Sequence, residues 1–175
     1  STPRLIAANA VDNYVRSDEF ADRLIPPRVE NRAFVQELVY GTIRRKHTLD
    51  WLIRRYVSEP PPRTVRPFLM CGLYEILYMG GSADHAVVNE TVNALKKSGA
   101  RFSAGFLNGV LRRVIRERDT VVADLKQQPL HIRESHPKRL VTRWLRHYGE
   151  AGTETLCRWN NTPPHVICQI GRAHV

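Results

Sequence analysis

Apolar residues recur along this chain at spacings of three and four, and that period predicts helices rather than strands. Thr2 is placed to cap a first helix, with Pro3 at its first position, where a missing N–H costs nothing. Leu5, Ile6, Val11, Tyr14 and Val15 give that helix an apolar side. After a loop at Pro26-Pro27, a second helix is expected from about Val29 toward Lys46. Phe34, Val35, Leu38, Val39 and Ile43 line its apolar stripe, while Arg32, Gln36, Glu37, Arg44 and Arg45 fall elsewhere. Leu49, Leu52, Ile53 and Tyr56 predict a short helix ending before Pro60-Pro61-Pro62.

The segment from Arg66 to Met79 is apolar on more than one side. Leu69, Leu73, Ile76 and Leu77 form one stripe, and Met70, Tyr74 and Tyr78 another. A helix apolar nearly all round belongs at the centre of a bundle. Gly80-Gly81 ends it, and Asp84 is expected to cap the next helix, which carries Val88, Val92 and Leu95 and stops near Gly99. Another helix is expected from about Phe102 to Arg118, burying Phe102, Phe106, Leu107, Val110, Leu111 and Val114. A polar stretch from Asp119 to Ser135 follows, with a weak helical signal at Thr120 to Lys126. Two amphipathic pieces, His136 to Tyr148 and Glu150 to about Trp159, then look like a bridge to something else. No strand-like alternation, internal repeat or low-complexity tract competes with this pattern. The expected fold is an all-α bundle of about six or seven helices followed by a helical linker.

Composition changes this picture through charge. Lys and Arg number 27 against 17 Asp and Glu, giving a net charge of +10 and a pI near 10.1. Net charge speaks about partners, and this one favours a polyanion, nucleic acid before an anionic membrane surface. Three scattered cysteines, Cys71, Cys157 and Cys168, show no zinc spacing and read as reduced thiols. No apolar run approaches the roughly 20 residues of a membrane span, and no signal-peptide core follows the first residues. A cytoplasmic location without membrane or metal is expected.

Catalytic signatures are not found: no GxGxxG, no phosphate loop, no GxSxG, no HExxH. His85 reads as a helix-start residue, Cys71 as a buried thiol, and Glu90 and Asp50 as solvated or capping acids. The candidate site is cationic. Arg44, Arg45 and Lys46 cluster at one helix end and Lys96 and Lys97 at another, where complementing the helix dipole is a competing explanation. Arg112, Arg113 and Arg116 lie opposite the apolar stripe of the Phe102–Arg118 helix, with Arg101 near its start. Together these residues would bind phosphates by releasing counterions. Asn89 and Asn108 sit inside helical runs although asparagine is a poor helix former. A buried hydrogen bond tying helices is the expected reason, and contact with RNA the alternative.

Several stretches resemble a known domain. Arg32-Ala33-Phe34, Leu38-Val39-Tyr40-Gly41-Thr42-Ile43-Arg44 and Leu49-Asp50 resemble the opening of the NusB-like RNA-binding domain. Leu73-Tyr74-Glu75-Ile76-Leu77-Tyr78 resembles its central helix. His85-Ala86-Val87-Val88-Asn89-Glu90-Thr91-Val92 and Gly105-Phe106-Leu107-Asn108-Gly109-Val110-Leu111-Arg112-Arg113 resemble its two most specific motifs. Beyond them, His136-Pro137, Trp144, Tyr148-Gly149 and Asn160-Asn161-Thr162-Pro163-Pro164 resemble the linker of the small-subunit ribosomal RNA cytosine-C5 methyltransferases.

The resemblance implies an RNA-binding domain over residues 1–125, and a linker and the start of a methyltransferase region over 126–169. It implies ribosomal RNA as partner, and a separate catalytic domain, not in this chain, that binds S-adenosylmethionine. Cys71, Cys157 and Cys168 do not match that family's catalytic cysteines. The chain itself is expected to hold no cofactor and do no chemistry, and the linker to pack loosely without its catalytic partner. Ile170-Gly171-Arg172-Ala173-His174-Val175 matches a peptide encoded by a common sequencing adapter, so residues 170–175 are expected to be an adapter-derived tail. The main rival is an antitermination factor of the NusB type, binding nascent RNA with a ribosomal protein. A protein-interaction module and a DNA-binding helix-turn-helix are weaker rivals.

Overall fold

The computed structural model describes residues 2–17 and 25–162, so the 170–175 tail lies outside the described residues. Among the described residues there are nine α-helices, one π-turn, one 3-10 turn and no strand. The first helix, α1 (Pro3–Ser17), starts where the sequence marks it: Thr2 Oγ1 accepts the Leu5 N–H at 3.3 Å. It buries Ala7, Ala8, Ala10 and Val11, whose small side chains let it lie close against its neighbours. Next come α2 (Arg32–Arg44) and α3 (Lys46–Tyr56), separated by Arg45 alone.

The apolar segment becomes α4 (Arg66–Tyr74), in which every residue from Pro67 to Tyr74 is buried. It packs against α1, α2 and α3 and against the two helices that follow. Its last turn widens into a π-turn at Glu75–Met79 and stops at Gly80, whose φ of 67° is a left-handed conformation that glycine adopts freely. The centre is tight. A Cβ on Gly41 of α2 would lie 2.0 to 2.5 Å from the Tyr74 side chain, so any larger residue there must push that ring aside.

The second half begins with α5 (Asp84–Lys97), leads through a 3-10 turn (Arg101–Ser103) into α6 (Ala104–Arg116), and continues as α7 (Arg118–Lys126). Two expectations are corrected here. Asp84 is the first helical residue rather than the cap, and its carboxylate accepts a hydrogen bond from Arg118 Nη2 at 2.6 Å. Phe102 and Phe106 are not buried: they are 83% and 37% exposed. Phe102 stands in the 3-10 turn, out of register with the stripe Ala104, Leu107, Leu111 and Val114 that α6 does bury. Phe106 is one residue, about 100° of helical rotation, off that stripe.

The polar stretch is more ordered than its composition suggests. Val121 of α7 is fully buried, and a short α8 (Leu130–Arg133) leads to α9 (Lys138–Asn160). Gly149, at φ 70°, breaks α9 into the two pieces the sequence separates. The junction is tied to α3: the His47 N–H donates to Ser135 Oγ at 3.1 Å and Thr48 Oγ1 donates to the Ile132 carbonyl. Val141, Thr153 and Cys157 of α9 are buried, while Leu145, Tyr148 and Trp159 are exposed.

One long-range feature escapes sequence reading. Arg4 forks onto Glu75, with Nε to Oε1 at 2.9 Å and Nη2 to Oε2 at 2.6 Å. It also reaches Glu90 and lies 4.9 Å from the Phe34 ring centroid. The Glu75 side chain is 2% exposed, so this pair fastens α1 to the central helix in a dry setting.

Candidate nucleic-acid interface

Because α6 buries one stripe, its opposite side is fixed by helical geometry. Gly105, Asn108, Gly109, Arg112 and Arg116 fall there at turn-by-turn spacing. Arg112 Nε donates to Asn108 Oδ1 at 3.0 Å, which steadies the guanidinium on the surface. Between α5 and α6 runs an open groove lined by Asn89, Asn93, Lys96, Gly105 and Asn108. Asn89 is exposed and Asn108 half-buried, so neither is the buried tie between helices that the sequence suggested. Both stand on the outward edges of their helices. Amide side chains carry donors and acceptors together and suit phosphate, sugar hydroxyl or base edges.

A Cβ at Gly105 or Gly109 would meet nothing within 4 Å, so the packing of the chain does not call for glycine at either place. Each costs a helix interior roughly 0.5–1 kcal/mol relative to alanine. The backbone is thereby open to close approach from outside.

Lys96 and Lys97 end α5, Arg101 opens the 3-10 turn, and Arg112 and Arg116 follow on α6. Among the described residues none of these five forms an ion pair with an acid. Their charge is directed to solvent.

The structure does not bring the other predicted cations to this face. Arg44 Nη1 reaches the Thr162 carbonyl at 3.5 Å. The Arg45 guanidinium lies 4.9 Å from the Tyr78 ring centroid and 4.0 Å from Glu134. Lys46 Nζ stands 5.9 Å from the Tyr14 ring. Those three sit where α2 meets α3 and touch α1, the π-turn and the linker. Arg113, one residue around the helix from Arg112, pairs with Glu117 at 3.3 Å and lies 5.0 Å over Tyr56. Asp50, expected to be solvated or capping, bridges Arg66 at 2.6 Å and Arg54 at 2.9 Å.

A second cationic strip was missed. Lys138, Arg139, Arg143 and Arg146 flank a shallow hollow on α9, all exposed and without an acid partner among the described residues. The spacing Lys-Arg-x3-Arg-x2-Arg, at one-turn intervals on a helix, is a signal that could have found it.

Neither described cysteine is set up as a nucleophile. Burial pushes the Cys71 thiol up to about 12, and burial likewise raises Cys157, whereas a nucleophile needs the thiolate. His85 is exposed on the first turn of α5. Among the described residues no cluster of His, Cys, Asp and Glu could hold a metal ion, and no helix is long and apolar enough to cross a membrane.

Comparison with known proteins fits this geometry. The chain is 32% identical over 165 residues to the probable ribosomal RNA small subunit methyltransferase B of Bacillus subtilis (strain 168), covering 90% of this chain and 35% of the relative. It is 30% identical over 180 residues to ribosomal RNA small subunit methyltransferase B of Pseudomonas putida, and 31% over 182 residues to that of Escherichia coli O7:K1. Each of these matches takes in 98% of this chain and 41% of the relative, so the chain spans about two fifths of their length. Among solved structures, antitermination factor NusB, in a crystal structure with NusE and double-stranded RNA, is similar in fold. The TM-score is 0.59 at 19% identity, over 65% of this chain and 93% of that one. The model of the NusB family matches residues 1–116, and the chain belongs to that family.

Proposed function

We propose that this chain holds ribosomal RNA for a cytosine-C5 methyltransferase whose catalytic domain lies outside these 175 residues. The observation that carries the reading is the face built by α5 and α6, where Lys96, Lys97, Arg101, Arg112 and Arg116 have no acid partner among the described residues, beside a groove lined by Asn89, Asn93 and Asn108. Such a face binds phosphate oxygens and orients RNA without reading much sequence. In this reading Arg44, Arg45, Lys46 and Arg113 brace the fold and lie outside the phosphate contacts. In the same reading residues 1–125 are the RNA-binding domain, and 126–169 are the linker and the start of the methyltransferase region.

The methyltransferase reading is favoured over the antitermination reading by the reach of the similarity. The Pseudomonas putida and Escherichia coli relatives match 98% of this chain, linker included, whereas the NusB structure matches 65%. The likeness to ribosomal RNA methyltransferases implies S-adenosylmethionine as methyl donor. The described residues do not fit it: they form no strand-edge crevice of the kind a Rossmann-like domain offers. No step through that group is assigned to this chain.

The test is binding of small-subunit ribosomal RNA segments by this chain across a salt series. Five phosphate contacts predict a log–log slope of about −3.5 to −4.5. A flat dependence, or no binding at low salt, overturns the reading.

A further inference from the structure

We infer that the hollow beside Phe102 receives an unpaired base, so that the RNA held by this chain is single-stranded at that point. The inference rests on the RNA reading above and adds the form of the RNA to it.

Phe102 is 83% exposed, an unusual position for a large apolar ring in a chain with a well-filled core. Among the described residues it stacks on no other ring. It forms one wall of a hollow of about 350 Å³, within the range of small-molecule sites. Phe68 and Pro67, at the start of α4, contribute apolar surface. Asn9 and Asp12, on the outer side of α1, contribute polar atoms, and Arg63 stands on the rim.

These groups match the parts of a nucleotide. A base has a flat apolar face, and an exposed aromatic ring stacks on it whatever the base is. It has a polar edge, and the Asn9 amide, exposed and without a hydrogen-bond partner among the described residues, offers both a donor and an acceptor. The Asp12 carboxylate is held by Arg16 at 3.0 Å, so its charge is compensated and it can accept from an exocyclic amine. The nucleotide also carries a phosphate, and Arg63 and Arg101 are exposed cations with no acid partner among the described residues. An apolar protein segment docked here would cover those cations without neutralising them. A duplex would not serve either, because its bases are already stacked on one another and its deep groove excludes side chains.

The experiment compares this chain with Phe102→Ala in binding a single-stranded segment of small-subunit ribosomal RNA and the same segment annealed to its complement. The expected result is about tenfold weaker binding of the single strand, with the duplex affinity and the salt slope unchanged, since Phe102 carries no charge. Phe102→Tyr should restore the single-strand affinity. The ring is on the surface, so thermal melting of both variants should match the parent. If Phe102→Ala binds the single strand as the parent does, while the parent keeps its salt slope, the base-binding hollow is overturned and the RNA reading stands. If the parent binds neither RNA at any salt concentration, both fall together.

Discussion

The α2–α3 corner and the α5–α6 face both carry arginines and lysines, yet the structure uses them differently. At the corner, Arg45 lies over Tyr78 and near Glu134, and Arg44 reaches the Thr162 carbonyl. Arg4, on α1, is buried with Glu75. On the α5–α6 face, Lys96, Lys97, Arg101, Arg112 and Arg116 form no ion pair among the described residues. A cation held against a ring, a carbonyl or a carboxylate stabilises the fold and must leave that contact to meet a partner. A cation without an acid contributes little to the fold and keeps its field in the solvent. The lesson is that charge counts do not locate an interface; what each cation is already held against matters more.

Substitutions sharpen that contrast in decreasing order of effect. Arg4→Ala leaves Glu75 charged in a dry setting with no partner, and should lower stability by roughly 3–5 kcal/mol in urea unfolding. A loss below 1 kcal/mol would show that α1 is held by its alanines alone. Gly41→Ala forces the new methyl into the Tyr74 ring, and should cost about 1–3 kcal/mol by the same measurement. Arg45→Ala removes a cation from the Tyr78 ring and a long ion pair, and should cost about 0.5–1 kcal/mol without changing any RNA salt slope.

The smallest effect is local and depends on pH. Burial holds His47, His131 and His136 below the ordinary 6.5, and all three lie where α3 meets the linker. A histidine whose pKa is depressed in the folded state takes up protons more readily when that region opens. The linker should therefore be fully docked above pH 6.5 and lose docking as pH falls below it. Hydrogen exchange along α9 at pH 7 and pH 5 reads this directly, and equal protection at both would contradict it.

Much of this fold was legible in the chain. The central helix declared itself by being apolar all round, and Gly80 and Gly149 mark real breaks. The stripe Leu107, Leu111 and Val114 fixed which side of α6 faces inward, and so placed Asn108, Arg112 and Arg116 outside. What periodicity missed has local and long-range causes. The 3-10 turn shifts Phe102 out of helical register, so an apparent core residue became a surface ring. The partners of Arg113, Glu117 and Tyr56, include a residue on another helix that no wheel projection of α6 contains. Arg4 and Glu75 are 71 residues apart, and only the folded chain brings them together. The Lys138–Arg146 strip is legible in the spacing, but it shares its helix with Leu140, Val141 and Leu145, whose period signals packing.

The central claim is tested most directly by the salt slope of RNA binding in Arg112→Ala/Arg116→Ala beside Arg45→Ala. The account predicts a slope shallower by about 1.4 to 1.8 in the double variant and an unchanged slope in Arg45→Ala. Equal slopes in all three proteins, or a shallower slope only in Arg45→Ala, would contradict it and move the RNA to the other side of the bundle.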